Sequence, residues 1–147
     1  MTLSSQVVSL PLAKRLKELG VKQESYFYYW YPVGMVMDAK NIPYQDKVVR
    51  KWHNVRDQYL SVSHEGECEC LPFYAAYTVA EIGEMLPWRI GDSGLEFVKK
   101  SSEWEAYYRP WSQWEMGGRN HLIEANTEAD ARAKLLIYLL EKGMAKP

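Results

Sequence analysis

The residues best suited to chemistry lie in one short segment, HEGECEC, which runs from His64 to Cys70. It contains the only two cysteines of the chain, Cys68 and Cys70, and one of its three histidines. Structural zinc sites take four thiolate or imidazole ligands in a tetrahedron. His53, His64, Cys68 and Cys70 are therefore the candidate metal ligands.

A polar surface or edge segment is the alternative interpretation of HEGECEC, and the spacing favours it. Alternate residues of an extended strand lie roughly 6.6 Å apart along the backbone. Two sulfurs that share a zinc ion lie about 3.8 Å apart, given a Zn–S length near 2.3 Å. The second Cys or His pair of a typical zinc module is also absent. We predict no metal and no cofactor, with a small zinc protein or zinc enzyme as the alternative.

Other catalytic patterns are missing from the sequence. It contains no Gly-x-Ser-x-Gly elbow and no phosphate-binding loop followed by a lysine. A cysteine nucleophile needs a neighbouring base, and the sequence places no histidine beside a sulfur. We therefore predict no catalytic residue, which favours a non-enzymatic role.

Aromatic residues are abundant, with eleven Tyr, six Trp and three Phe. Most are expected to fill core volume between strands and helices. The segment YYRPWSQW differs because its proline-containing loop makes full burial harder. We predict that Arg109, Trp111 and Trp114 form a contact surface for a protein partner or for a second copy of the chain.

Composition narrows the class of protein. The chain has 147 residues, of which 47% are hydrophobic, and a net charge of −1, which gives no broad attraction to nucleic acid or anionic lipid. A leader and an apolar run of eighteen residues are both missing, so we expect a cytoplasmic protein without a membrane span. Nucleic-acid binding is a second alternative, and it would use the basic residues Lys47, Arg50, Lys51 and Arg56.

Two helices with both start and stop signals are predicted in the first 90 residues. SLPLAKRLKELG begins at the N-cap Ser9 and ends at Gly20, with leucines at helical spacing. TVAEIGEMLP has the capping-box pattern of Thr78 and Glu81, and Pro87 ends it.

A third helix is predicted over NTEADARAKLLIYLLEKG, near the end of the chain. Thr127 and Asp130 resemble a capping box, and Gly143 marks the C-terminal stop. Its predicted buried stripe is Ala129, Ala133, Leu136, Ile137 and Leu140.

Strands are predicted between these helices. An aromatic strand covers 25–33, and 95–100 and 103–109 form a hairpin around Ser101 and Ser102. A further strand covers 119–126. We therefore predict one α+β domain over 1–147, in which helices pack on an antiparallel sheet made of a C-terminal three-stranded meander and the aromatic N-terminal strand.

The segment 34–70 is the hardest to interpret. Within YQDKVVRKWHNVRDQYL, Val48, Trp52, Val55 and Tyr59 recur at helical spacing. This pattern predicts a further helix, followed by a loop.

Three stretches together resemble a known family. LAKRLKELGVKQESYFYYWYP, YTVAEIGEMLP, and WEAYY followed by NTEADARAKLLIYLLEKG are similar to small hypothetical proteins of phages and prophages. The resemblance covers about half of the chain and omits 34–70. It implies a mobile-element origin and a bacterial host, and it carries no catalytic residues.

The predicted strand–strand–strand–helix ending also resembles double-stranded-RNA-binding domains and HicB-like antitoxins in architecture. The RNA-binding fold needs lysines where its last helix begins, whereas this chain has Thr127, Glu128 and Asp130 there. Acidic residues repel phosphate, so this departure from the RNA-binding fold argues against nucleic-acid binding by that route.

Overall fold

The computed structural model describes residues 5–32, 48–50, 70–112 and 118–147. The class is α+β, as predicted. In chain order the elements are α1 (Leu10–Glu18), β1 (Phe27–Pro32), β2 (Val48–Arg50), β3 (Cys70–Ala75), α2 (Val79–Met85), β4 (Arg89–Ile90), β5 (Ser93–Lys99), β6 (Trp104–Pro110), β7 (Asn120–Ala125) and α3 (Glu128–Glu141).

The strands of the described ranges form two antiparallel sheets. The C-terminal sheet has the order β4-β5-β6-β7, which is the predicted meander with the short strand β4 added at one edge. The predicted hairpin is confirmed, because Lys99 pairs with Trp104 and the Lys100 N–H donates to the Glu103 carbonyl at 2.7 Å. The aromatic strand β1 is also formed, but the prediction that it shares one sheet with the meander is wrong. It lies at the centre of the other sheet, because its backbone groups pair with β2 and β3.

The helix predicted across YQDKVVRKWHNVRDQYL is wrong for Val48–Arg50, which form strand β2. There Val48 pairs with Tyr29 and Arg50 with Phe27. Two consecutive β-branched valines suit a strand, and pairing with β1 satisfies backbone groups that a helix would satisfy internally. The other members of that pattern lie outside the described residues: Trp52, Val55 and Tyr59.

The helix N-termini follow the predicted caps, with one difference. At α2 both halves of the Thr78–Glu81 capping box are present. At α3 the Thr127 hydroxyl accepts from the Asp130 N–H at 3.2 Å, but the Asp130 carboxylate turns away. It accepts instead from the N–H of Ser9, the N-cap of α1, at 2.7 Å. One aspartate therefore joins the starts of two helices that are far apart in sequence.

Two glycines end helices as predicted. Gly20 follows α1 with φ +84° and Gly143 follows α3 with φ +71°, a left-handed conformation that glycine adopts without strain. In both places the amide after the glycine donates to the carbonyl five residues earlier, at 3.0 Å after α1 and 2.8 Å after α3. This is the Schellman arrangement, which satisfies carbonyls that the helix leaves free.

Helix α3 lies at the centre of the core. It contacts α1, α2, β6 and β7. Four of the five predicted stripe residues are buried, and Leu140 is partly buried. Contacts on several sides also bury positions outside the stripe, which are Ala131, Leu135 and Leu139. From β6, Trp104, Ala106 and Tyr108 face this same core.

Candidate contact surface

The end of helix α2 brings one tryptophan to the surface. The helix stops at Met85, and Pro87 lies two residues beyond it. Trp88 then precedes strand β4 and is 69% exposed. Its position is fixed by its backbone, because the Leu95 N–H donates to the Trp88 carbonyl at 3.0 Å. The backbone of Trp88 is therefore tied to β5, and its indole lies at the surface.

A row of three residues crosses the strands next to Trp88. Arg89 on β4 pairs with Gly94 on β5, and Gly94 pairs with Arg109 on β6. Because Gly94 has no side chain, the row has a gap at its centre. The indole of Trp111 covers this gap, and a Cβ atom on Gly94 would lie only 2.6 Å from the indole Nε1. The Gly94 backbone is therefore the surface on which the Trp111 indole lies.

Trp88 and Trp111 contact each other beside this row. Their ring centroids are 6.2 Å apart and the rings are tilted by 32°. The Arg89 guanidinium lies 5.0 Å from the centroid of Trp111, in a cation–π contact. Trp111 is nonetheless 55% exposed. We call Trp88, Arg89, Arg109 and Trp111 the tryptophan surface.

Local pairing balances the charges of the tryptophan surface. Arg89 lies 3.4 Å from a carboxylate oxygen of Asp92, and Arg109 lies 3.2 Å from one of Glu96. Glu96 also accepts a hydrogen bond of 3.0 Å from the buried Tyr107. These two arginines are therefore matched by two carboxylates, so the pairs add no net positive charge that would attract a polyanion.

A groove of about 500 Å³ adjoins the tryptophan surface. One wall is the end of α2 and the residues after it, from Glu84 to Trp88. The other wall is the segment after α3, from Gly143 to Lys146. Met144, on this second wall, is 45% exposed. We call this hollow the C-terminal groove, and Trp88 belongs both to it and to the tryptophan surface.

Of the predicted contact residues, Arg109 and Trp111 lie on this surface, and Trp114 lies outside the described residues. The sequence analysis missed Trp88. The signal for it in the sequence was its position directly after the proline that ends a helix. Arg89 was missed too, since the pairing of β4 with β5 depends on the fold.

The candidate zinc ligands are only partly placed. His53, His64 and Cys68 lie outside the described residues. Cys70 is placed by its backbone, at the start of β3 opposite Pro32. Among the residues that the structure describes, no group of three or more His, Cys, Asp or Glu could hold a metal ion.

Titratable clusters elsewhere in the described ranges are engaged in structural contacts. The buried carboxylate of Glu105 forms ion pairs with Lys100 and with Arg119, the second at 3.0 Å. His121 adopts a left-handed conformation, with φ 58°, where β7 departs from regular pairing. Its Nδ1 lies 3.2 Å from the hydroxyl of Tyr138. The first arrangement joins β6 to residues next to β5 and β7, and the second joins β7 to α3.

The fold and this surface define an α+β protein with an exposed aromatic surface. A comparison with protein families, curated proteins and solved structures finds no match to this chain. Within the described ranges, no helix combines the length and the apolar content needed to cross a bilayer.

Proposed function

We propose that this chain is a non-enzymatic protein-interaction module that binds a protein partner through the tryptophan surface. The observation that carries the proposal is the exposure of two adjacent indoles, Trp88 and Trp111. Tryptophan is strongly enriched among the few interface residues that supply most of the binding energy.

The contacts that position these two residues support the proposal. The Trp111 ring lies on the Gly94 backbone under a guanidinium, and the backbone of Trp88 is tied to β5. A side chain that is held in place before binding loses little conformational freedom in the complex.

The surrounding charges favour a protein partner over nucleic acid. A nucleic-acid surface needs unpaired cations along a phosphate backbone, but here Arg89 and Arg109 each have a carboxylate neighbour. An apolar centre with mixed charges at its edge is typical of protein interfaces. A cytoplasmic setting and an origin in a phage or prophage, as the family resemblance implies, belong to the same proposal.

Site-specific photo-crosslinking in the cells that carry the gene tests the proposal. A benzophenone amino acid in place of Asp92, whose side chain is 91% exposed at the edge of the surface, serves as the reporter. The same amino acid in place of Glu24, 65% exposed between α1 and β1, serves as the control. We expect a discrete cross-linked protein with the reporter at 92 and none with the reporter at 24.

A second step ties the cross-link to the indoles. Adding Trp88→Ala and Trp111→Ala to the chain with the reporter at 92 should remove the cross-linked species. Equal cross-linking at 92 and 24, or a cross-link that survives both substitutions, would contradict the proposal.

A further inference from the structure

Resting on the proposed function, we infer that the protein partner is a second copy of this chain, joined about a two-fold axis that passes through the C-terminal groove. In this arrangement Trp88 of each copy enters the groove of the other. The inference is drawn from the position of Trp88, from the apolar residues of the groove, and from the charges on its two walls.

Shape is the first argument. A two-fold interface uses one surface patch twice, so a protruding group and the hollow that receives it must both belong to that patch. Trp88 meets this condition, because it is 69% exposed and also lines the groove of about 500 Å³. A protrusion on a different face from its hollow would instead give a head-to-tail ring or filament of copies.

The groove also offers an apolar surface to an indole. Met144 is 45% exposed on one wall, and Met85 and Pro87 line the other. Methionine is flexible and polarizable, and it makes favourable contacts with aromatic rings. Burial of Met144 and Trp88 against each other removes two large apolar groups from water on each copy.

Charge is the second argument. Glu84 is exposed on the α2 wall of the groove, and Lys146 is exposed on the opposite wall. A two-fold axis between the walls brings Glu84 of one copy to Lys146 of the other, and the same pair forms a second time by symmetry. The net charge of the chain is −1, so repulsion between whole copies is small.

Sedimentation velocity of the purified full chain over a range of concentrations tests the inference. We expect the mass to rise from that of one 17.1 kDa chain to that of two. Trp88→Ala should weaken the association at least about tenfold, as expected for a central interface tryptophan. Tyr26→Ala is the matched control, because Tyr26 is 73% exposed and does not line the groove. It should leave the association unchanged.

Charge reversal tests the predicted geometry. Glu84→Lys and Lys146→Glu should each weaken self-association, because each places like charges together twice. An equimolar mixture of the two variants should associate again, since both contacts in the mixed dimer then join opposite charges. Circular dichroism of each variant, matching that of the unmodified chain, shows that the fold is retained.

A chain that stays monomeric at every concentration would overturn the inference, and so would a dimer that Trp88→Ala leaves intact. Failure to restore association by mixing the charge variants would overturn the two-fold arrangement. These results are distinguishable from failure of the proposed function. A cross-link from position 92 to a different protein, lost with Trp88→Ala and Trp111→Ala, would keep the interaction module while overturning the second copy as its partner.

Discussion

Three tyrosines and two tryptophans of the described residues differ sharply in burial. Tyr77, Tyr107 and Tyr108 are at most 2% exposed, and the hydroxyl of each has a hydrogen-bond partner. Trp88 and Trp111 are more than half exposed. Burial of a polar hydroxyl costs free energy unless the hydroxyl forms a hydrogen bond. Each of these three tyrosines therefore fits its buried site in both ring and hydroxyl.

For Tyr107, Tyr108, Trp88 and Trp111, the difference in exposure follows from their position relative to a helix or strand. Tyr107 and Tyr108 lie within β6, where neighbouring strands on both sides hold the backbone. Trp88 lies just after the end of α2, and Trp111 lies one residue beyond β6. The rings within β6 are packed into the fold, whereas Trp88 and Trp111, just past an element end, lie at the surface. Tyr77 lies between β3 and α2 and is buried all the same, so position past an element end does not by itself expose a ring.

The largest expected effect is on the tyrosine side of this comparison. Tyr108→Ala should lower the free energy of unfolding by about 3–5 kcal/mol, the usual range for loss of a buried aromatic ring. Tyr108 is fully buried, and its hydroxyl donates to the Pro87 carbonyl at 2.6 Å. Urea denaturation monitored by circular dichroism measures the change.

Tyr26→Ala supplies the control for that measurement, since Tyr26 is 73% exposed and its loss should change the free energy of unfolding by less than about 0.5 kcal/mol. Equal losses of unfolding free energy for Tyr26→Ala and Tyr108→Ala would contradict the difference between buried and exposed aromatic residues.

Measuring the free energy of unfolding over a range of pH tests the burial of the Tyr108 hydroxyl. Burial raises the pKa of Tyr108 from its ordinary value of 10.0 to about 12. The unfolded chain therefore releases this proton at a lower pH than the folded chain does. The folded state therefore has its full stability with respect to this proton below pH 10. That contribution to the free energy of unfolding is lost as the pH rises towards 12.

Tyr108→Phe isolates this contribution, because it removes the titrating hydroxyl and keeps the ring. Unfolding free energies of the original chain and the variant, measured in parallel, should converge as the pH rises from 10 to 12. A constant difference over that range would show that the hydroxyl titrates as freely in the fold as in the unfolded chain.

Local chemistry explains which elements could be predicted from sequence. The Thr78–Glu81 box and the glycine stops act within one turn of a helix, so a single sequence contains the whole motif. The Ser101-Ser102 hairpin is local in the same way. Asp130 is a case in which a local motif does not decide the contact. Its spacing from Thr127 predicted a capping box, in which its carboxylate would accept a hydrogen bond within the same helix turn. Its carboxylate is used instead by Ser9, 121 residues away.

Strand β2 and part of the contact surface depend on pairings that the sequence does not show. Val48 fits a helical spacing, and only its antiparallel pairing with β1 decides against a helix. Arg109 and Trp111 were predictable from their place beside a proline. The row from Arg89 through Gly94 to Arg109, which supports the Trp111 indole, exists only once three strands have aligned.

A small expected effect on stability tests the central claim most directly. The claim is that Trp88 and Trp111 are held at the surface for contact and are not needed by the fold. The measurement is the free energy of unfolding of the monomeric chain carrying both Trp88→Ala and Trp111→Ala, compared with the original chain. We predict a difference within about 1 kcal/mol, as for two surface substitutions. A loss of about 3 kcal/mol or more, similar to that expected for Tyr108→Ala, would contradict the account by showing that the indoles belong to the core.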